Sequence, residues 1–294
     1  MSNARSAPFD RRTVLGGGLA LAAGCPALAK ERPLTLTRAL PGGELTLSGA
    51  PKFAGAVSSL KYRGMEYVDA ADHGRLFQTA IHFDGLGECL NPTQGGSSSD
   101  KRRSTSRLLH ALTTADVYAV STRMAYWLRP GQICTLPERG RVQTANITRR
   151  SEVTVDVAHG FGGLPAPAAA SSLIRFTSPN LHETAVVEAL TIYTPAVFNT
   201  FHRYEAGAFT RAEAAAEQPA PYALATGDGA HAVALFSPRG LEPARFGAFT
   251  YGGVGKLNAV FRPAGRFIPG AHTFRLAWTV GTLDEVAATI AACV

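Results

Sequence analysis

Residues 56–68 read AVSSLKYRGMEYV, and this stretch predicts a β-hairpin. Ala56 to Tyr62 and Met65 to Val68 form the two strands, and Arg63-Gly64 is the short turn between them. Just upstream, residues 44–48 (ELTLS) alternate apolar and polar side chains, as a half-buried strand does. The chain therefore enters its folded part through consecutive antiparallel strands.

Most of the remaining chain also predicts short strands. These segments are rich in β-branched and aromatic residues, and clusters of Gly, Pro, Asn and Ser separate them. They are Leu76–Phe83, Val117–Leu128, Val142–Thr148, Glu152–Val157, Ser172–Phe176, Val186–Tyr193, Ala232–Phe236, Leu257–Phe261 and His272–Thr279. This pattern is typical of a sandwich or barrel, and we expect an all-β fold, a large antiparallel β-sandwich with a short C-terminal helix.

Two segments predict helix, and two predict long loops. Thr210–Gln218 is rich in Ala and Glu, and Leu283–Ala292 follows Thr282, with Glu285 three positions on to complete a capping box. The polar stretch at residues 94–107 (QGGSSSDKRRSTSR) cannot bury itself, so we expect it to be mobile or functional. Residues 160–170 are rich in Gly and Pro, and they could link two subdomains or form a surface crossing between strands.

The first 29 residues predict an export signal. Arg11-Arg12 precedes an uncharged run rich in Leu, Ala and Gly, which ends in the cleavage signal Ala27-Leu28-Ala29. Paired arginines before such a run favour the twin-arginine export machinery, with a plain secretory signal as the alternative and a lipid anchor at Cys25 as a lesser one. We therefore expect a signal peptide at 1–29, a single domain at 30–294 and a periplasmic or secreted protein. No later run is long enough to span a membrane.

Composition limits the partners of the chain. The formal net charge is +7, of which +2 lies in the leader, leaving about +5 scattered over the remaining 265 residues. Basic and aromatic residues are not interleaved, which argues against nucleic acid and is compatible with acidic glycans. A Cys89–Cys134 disulfide is an open alternative, and Cys293 is expected to be free or packed.

The chemistry is expected in residues 72–92, DHGRLFQTAIHFDGLGECLNP, where ionisable side chains and glycines crowd together. Asp84 and Glu88 flank a glycine-rich turn and are a candidate acid/base pair; the alternative is an Asp that stabilises the turn and a solvated Glu. Gln78 and His82 share one face of a strand, which would suit sugar binding. The candidate site residues of this stretch are His73, Arg75, Gln78, His82, Asp84, Glu88 and Asn91.

Three candidates lie elsewhere. Trp127 offers an aromatic face for stacking on a sugar, although aromatic residues in strands are more often core. His202 is expected in a loop after a strand and with Tyr204 could form a base/acid pair. No metal or cofactor is expected; calcium, on Asp72, Asp84 and Glu88, is the alternative.

Residues 55–92 resemble the opening of the galactose mutarotase-like β-sandwich superfamily, whose opening hairpin corresponds here to Gly55 to Glu66, with Ser59-Leu60, Gly64 and Glu66 as its marked positions. Residues 273–286 (TFRLAWTVGTLDEV) are similar to its closing strand. In that superfamily a carboxylate and histidines face a sugar on a concave sheet, and the epimerases use a late glutamate as base. The late glutamates here are Glu242 and Glu285.

The resemblance implies a saccharide ligand. We expect an exported carbohydrate-active enzyme that acts on a poly- or oligosaccharide by general acid/base chemistry, as a glycoside hydrolase, lyase or epimerase. The alternative is a non-catalytic carbohydrate-binding or polysaccharide-export accessory protein of the periplasm.

Overall fold

Antiparallel strands make up most of the computed structural model, which describes residues 33–87, 90–98, 103–136, 140–143 and 152–294. Its strands are β1 (Leu34–Leu40), β2 (Gly43–Gly49), β3 (Val57–Tyr62), β4 (Met65–Glu66), β5 (Gln78–Phe83), β6 (Pro92–Thr93), β7 (Arg107–Thr113), β8 (Val117–Arg123), β9 (Ala125–Tyr126), β10 (Ile133–Leu136), β11 (Gly140–Gln143), β12 (Thr154–Phe161), β13 (Ala169–Ser178), β14 (Ala185–Thr194), β15 (Phe198–Glu205), β16 (Ala208–Ala212), β17 (Ala215–Gln218), β18 (Tyr222–Thr226), β19 (Ala232–Phe236), β20 (Arg245–Tyr251), β21 (Val254–Phe261) and β22 (Gly270–Gly281). A 3₁₀ turn covers Pro51–Phe53, and one α-helix, α1 (Leu283–Cys293), follows β22.

Two large sheets form the layers of a sandwich. One has nine strands in the order β16-β15-β18-β19-β22-β13-β12-β8-β7, and the other has seven in the order β17-β20-β21-β14-β5-β6-β9. Phe261 of β21 packs on Phe274 of β22 with ring centroids 5.1 Å apart, and Phe77 contacts the fully buried Trp278 edge-on at 5.5 Å. The predicted antiparallel β-sandwich with a terminal helix is confirmed.

The hairpin predicted from residues 56–68 is present in a smaller sheet, β1-β2-β3-β4. Arg63 and Gly64 form its turn with φ of 52° and 78°, the left-handed conformation that a two-residue hairpin turn requires. The Arg63 guanidinium reaches the start of α1 and donates two hydrogen bonds of 2.8 Å to the Glu285 carboxylate. The hairpin is therefore bound directly to the C-terminal helix.

Local signals correctly predict α1. The Thr282 hydroxyl accepts a hydrogen bond from the Glu285 backbone N–H, and the Glu285 carboxylate accepts one from Thr282 N–H, which together form the predicted capping box. Val286 and Ile290 are buried against the nine-stranded sheet. Among the described residues, no helix has the length and apolar character needed to cross a bilayer.

The helix predicted at Thr210–Gln218 is wrong, because this segment forms parts of β16 and β17. β16 pairs with β15 in the nine-stranded sheet, and β17 pairs with β20 in the seven-stranded sheet. The preference of Ala and Glu for helix amounts to tenths of a kcal/mol per residue, so pairing with neighbouring strands overrides it.

The polar stretch at residues 94–107 is also not the unburied loop that its composition predicts, in the parts that the structure describes. Ser97, Ser104 and Ser106 are buried, and their hydroxyls donate to the backbone carbonyls of Tyr126, Gly95 and Thr93 at 2.7–2.8 Å. Serine side chains can therefore replace water for a buried loop backbone. Residues 99–102 lie outside the described ranges.

Cysteines take two different roles. Cys134, in β10, is disulfide-bonded. Cys293, in the last turn of α1, is free and buried. The expected partner Cys89 lies outside the described residues, so the Cys89–Cys134 pairing stays a prediction.

Candidate functional site

One face of the seven-stranded sheet is polar, and β5 shows how the sequence produces it. Gln78 and Ala80 point to a pocket on this face, and His82 continues the same row. Ile81 and Phe83 point the other way, into the core between the two sheets. This alternation is the one that the sequence predicts, because successive side chains of a strand face opposite sides.

A bulge in β14 adds two further polar groups to the face. The pairing of β14 with β5 shifts between Glu188 and Thr191, and its pairing with β21 shifts between Glu188 and Leu190. One extra residue in the strand brings positions 188 and 191 to the same side. The Thr191 hydroxyl accordingly donates to the Glu188 carboxylate at 2.8 Å, while Ala189 and Leu190 are fully buried.

An ion pair lies at the centre of the face. The Lys256 ammonium is 3.1 Å from one carboxylate oxygen of Glu188, and His82 Nε2 is 3.2 Å from the other. The Lys256 and Glu188 side chains are only 7% and 12% exposed. A pair removed from water to this extent is costly unless its charges and hydrogen bonds are matched, as they are here.

Neither member of the pair changes its charge readily. Burial alone raises the pKa of Glu188, but the Lys256 charge and hydrogen bonds from His82 and Thr191 outweigh it, so the pKa lies far below its usual range. Burial alone lowers the pKa of Lys256, but the Glu188 carboxylate raises it above its usual range. At neutral pH the pair is a fixed carboxylate and a fixed ammonium.

Aromatic side chains enclose the ammonium. The Lys256 Nζ lies 5.6 Å from the ring centroids of both Tyr193 and Phe249, within the range of cation–π attraction. Tyr193 and Phe249 oppose Lys256 on the two neighbouring strands, so sheet register places all three in one row.

A small pocket opens beside the pair. Its wall includes Glu188 and Lys256 together with Asn91, Thr93 and Trp127, and its volume is about 20 Å³. That space holds roughly one water molecule, so only a single small group of a ligand could enter the pocket.

A cation, Arg75, lies against Trp127 of the pocket wall, and these two side chains are called the rim. The Arg75 guanidinium lies 5.7 Å from the ring centroid of Trp127, and both side chains are half-buried. The amide of Gln78 bridges two backbone segments beside them, donating to Gly74 O at 2.6 Å and accepting from Gly95 N at 2.7 Å. Gln78 therefore holds the rim in place in addition to lining the pocket.

Asp84 leaves the polar face at the end of β5, in a turn with φ of 55°. Its carboxylate accepts hydrogen bonds from the backbone N–H groups of Glu183 and Thr184 and lies 2.9 Å from His182 Nδ1. Burial raises the pKa of Asp84, but these hydrogen bonds outweigh it and hold the pKa below its usual range. These contacts are those of an Asp that stabilises the turn, which is the alternative given in the sequence analysis. A catalytic role for Asp84 stays a prediction.

The His182 ring also approaches Ser178, with Nε2 3.4 Å from the hydroxyl. A carboxylate, imidazole and hydroxyl in series are the parts of a hydrolase triad. Ser178 is fully buried and its hydroxyl accepts from Asn180 N–H, so this arrangement presents no nucleophile to a substrate.

The other candidates are spread over the structure. His73 is buried, and its Nδ1 lies 2.7 Å from Gly95 O. Glu88 lies outside the described residues. His202 is within β15 and not in a loop, and with Tyr204 it belongs to the nine-stranded sheet, away from the polar face. Burial and the charge of Arg211 lower the pKa of His202, whose Nε2 lies 3.1 Å from the Thr200 hydroxyl.

Metal ligands do not gather in the part of the chain that the structure describes, where no group of three His, Cys, Asp or Glu side chains could hold an ion. The suggested calcium ligand Asp72 instead accepts a hydrogen bond from Gly74 N–H.

Sequence reasoning missed Glu188 and Lys256, the two most buried charges of the face. Both were visible as single charged residues inside apolar strands, in AVVEALTIYT at 185–194 and in VGKLNAVF at 254–261. A lone charge in such a strand is a signal in itself, since ionised side chains are seldom fully buried unless they are paired.

Comparison with known proteins adds information on the fold alone. No family model and no curated protein matches the chain. A GalM/aldose epimerase homologue from C. elegans is 10% identical with a TM-score of 0.44, over 86% of this chain and 100% of that one. A galactose 1-epimerase from Lactobacillus acidophilus is 9% identical with a TM-score of 0.36, over 82% and 92%.

An α-mannosidase from Enterococcus faecalis is 9% identical with a TM-score of 0.48, and the similarity covers 86% of this chain and 30% of the mannosidase. The chain is thus structurally similar to galactose mutarotase-like proteins and to parts of glycosidases, at low sequence identity.

Proposed function

We propose that the protein is an exported carbohydrate-active enzyme whose substrate, an oligo- or polysaccharide, lies on the polar face of the seven-stranded sheet. One observation carries the proposal: a buried Glu188–Lys256 ion pair, bonded to His82, forms part of the wall of a small polar pocket. Apolar residues would stabilise the sheet at least as well as a buried ion pair, so a pair in the wall of a pocket suggests a role beyond stability.

The three side chains would have different roles. Glu188 and Lys256 keep their charges, so neither is suited to exchange protons near neutral pH. An imidazole is suited to that exchange, and the Glu188 carboxylate orients the ring of His82 through Nε2. His82 would transfer the proton, while Lys256 would donate a hydrogen bond to a sugar oxygen that gains negative charge.

A second function, carbohydrate binding without catalysis, is favoured by the same locked charges. Hydrolysis by two carboxylates needs one that is protonated near neutral pH, and Glu188 is held ionised. If His82 only completes the hydrogen bonding of Glu188, the face would hold a glycan and leave it unchanged.

One experiment separates the two functions. The purified protein is incubated with a panel of bacterial and plant glycans, mass spectrometry and NMR detect products, and affinity chromatography measures retention. An increase of one water indicates a hydrolase, an unsaturated product a lyase, and a change of configuration at constant mass an epimerase. Retention without any product supports the binding protein, and the absence of both refutes the proposal.

A pair of matched variants tests the role of His82. His82→Gln should lose at least about 100-fold in turnover if the imidazole transfers a proton. His110→Gln is the control, since His110 is an exposed residue of β7 at the edge of the other sheet. Equal turnover in the two variants would rule out proton transfer by His82.

Export is a separate part of the proposal. The paired arginines of the leader suggest the twin-arginine route, and the disulfide at Cys134 supports an oxidising compartment. Replacing Arg11 and Arg12 by lysine keeps the charge of a plain secretory signal but removes the twin-arginine motif. Cell fractionation should then find the precursor inside the cell; normal export of the variant would indicate the plain secretory route.

A further inference from the structure

We propose that the saccharide is acidic, and that Arg75 binds its carboxylate while the sugar ring lies beside Trp127. The ligand class is a uronic acid or an oligosaccharide that contains one. This inference rests on the proposed function and adds the chemical class of its substrate.

Arg75 is the cation of the rim that is available to a ligand. The ion pairs of the described residues engage Arg38, Arg63, Arg175, Arg203, Arg262 and Arg266 with carboxylates, and Arg75 is not among them. The contact that holds the Arg75 guanidinium is the face of Trp127.

The charge balance of the site favours an anion. Glu188 and Lys256 cancel each other at 3.1 Å, and their pKa values are shifted so that both stay ionised. Among the residues that the structure describes, Arg75 therefore adds a positive charge beside Trp127 that takes part in none of these ion pairs. The chain as a whole is basic, with 29 Lys and Arg against 22 Asp and Glu, which favours approach of an anionic glycan.

The geometry of the groups matches a sugar acid. A guanidinium fork can donate two parallel hydrogen bonds to a planar carboxylate, which is the strongest recognition that an arginine offers. A cation–π contact with Trp127 holds the guanidinium beside the pocket wall. The part of the half-buried indole that the guanidinium does not cover can pack against the C–H groups of a sugar ring.

Trp127 also provides the measurement. The chain has two tryptophans, and Trp278 is fully buried, so a ligand on the polar face should change the fluorescence of Trp127. We would titrate the protein with galacturonate, glucuronate, mannuronate and guluronate oligosaccharides and with the methyl ester of each. Esterification removes the charge and keeps the ring, the linkage and the length.

Arg75→Gln, Arg75→Lys and Arg107→Gln complete the design. Arg107 is an exposed residue of β7 in the nine-stranded sheet, so its variant loses the same charge from a side chain that is not part of the polar face. The wild type and Arg107→Gln should bind at least one acid about tenfold or more tighter than its ester, with an affinity that falls as salt is added. Arg75→Gln should bind acid and ester within about twofold, and Arg75→Lys should lie between, because it keeps the charge without the fork.

The outcomes distinguish this inference from the function it rests on. Three results would overturn the acidic substrate but not the carbohydrate-active protein. They are equal binding of acids and esters, binding of neutral glycans alone, and an unchanged preference for the acid in an Arg75→Gln variant with a normal unfolding midpoint. Failure of every glycan to bind would overturn both.

Discussion

Lys256→Met removes the ammonium from the centre of the polar face while keeping the length of the side chain. Glu188 is then a carboxylate that is 12% exposed and retains only His82 and Thr191 as partners. Removing one partner of a buried pair costs about 3–5 kcal/mol, and the two remaining hydrogen bonds favour the lower end, about 3 kcal/mol. For a domain of this size the melting temperature should fall by about 6–9 °C.

A double-mutant cycle isolates the pair. Glu188→Gln alone leaves the Lys256 ammonium buried without its counter-charge and should cost a similar amount. The double variant buries no charge and should lie within about 1 kcal/mol of the wild type. Urea unfolding at pH 7 measures all four proteins. If the losses of the single variants simply add in the double variant, the two residues are not coupled and the account of the site is wrong.

The contribution of the Glu188–Lys256 pair to the free energy of unfolding should depend on pH. The pKa of Glu188 is lower in the folded than in the unfolded protein, so the pair's contribution is complete above the ordinary glutamate pKa of about 4.3 and is lost as the pH falls. In Lys256→Met the buried Glu188 carboxylate can take up a proton, and this removes the free-energy cost of its unpaired charge. The difference in stability between wild type and variant should therefore narrow below about pH 4.

Three further outcomes are expected. Asp84→Ala removes the acceptor of two backbone N–H groups and of His182, so the free energy of unfolding should fall by about 2 kcal/mol in thermal melts, and an unchanged melt would contradict the turn role. Cys134→Ser should cost about 2–4 kcal/mol in urea unfolding, whereas Cys293→Ser should remain sensitive to reducing agents like the wild type. Burial lowers the pKa of His159 to about 3, so it stays neutral in the folded protein while its unfolded form takes up a proton below about pH 6.5. Stability should fall by about 2–3 kcal/mol between pH 7 and pH 4.5 for this reason, and His159→Gln should lose less over the same range.

The parts of the fold that the sequence predicts are those set by neighbouring residues. The turn at Arg63-Gly64, the cap formed by Thr282 and Glu285, and the alternation of β5 each depend on a few consecutive positions. The segment at 208–218 depends instead on which distant strands it meets, and its composition alone favours helix.

The site divides in the same way. Gln78 and His82 follow from the period of one strand, so the sequence places them on one face. The Glu188–Lys256 ion pair joins residues 68 positions apart. It also needs a bulge in β14, which no local sequence pattern predicts. Crowding of ionisable residues near Asp84 was the strongest signal in the sequence, yet much of it reflects the hydrogen bonds of a turn.

The two hydrogen bonds between Arg63 and Glu285 join residues that are 222 positions apart. The hairpin of β3 and β4 therefore cannot complete its contacts until the segment containing Glu285 has been synthesised. Contacts across such long separations slow the folding of a protein, because a large loop must close before they form. A version shortened before residue 282 should therefore leave the hairpin of β3 and β4 more exposed to proteases than the full chain does.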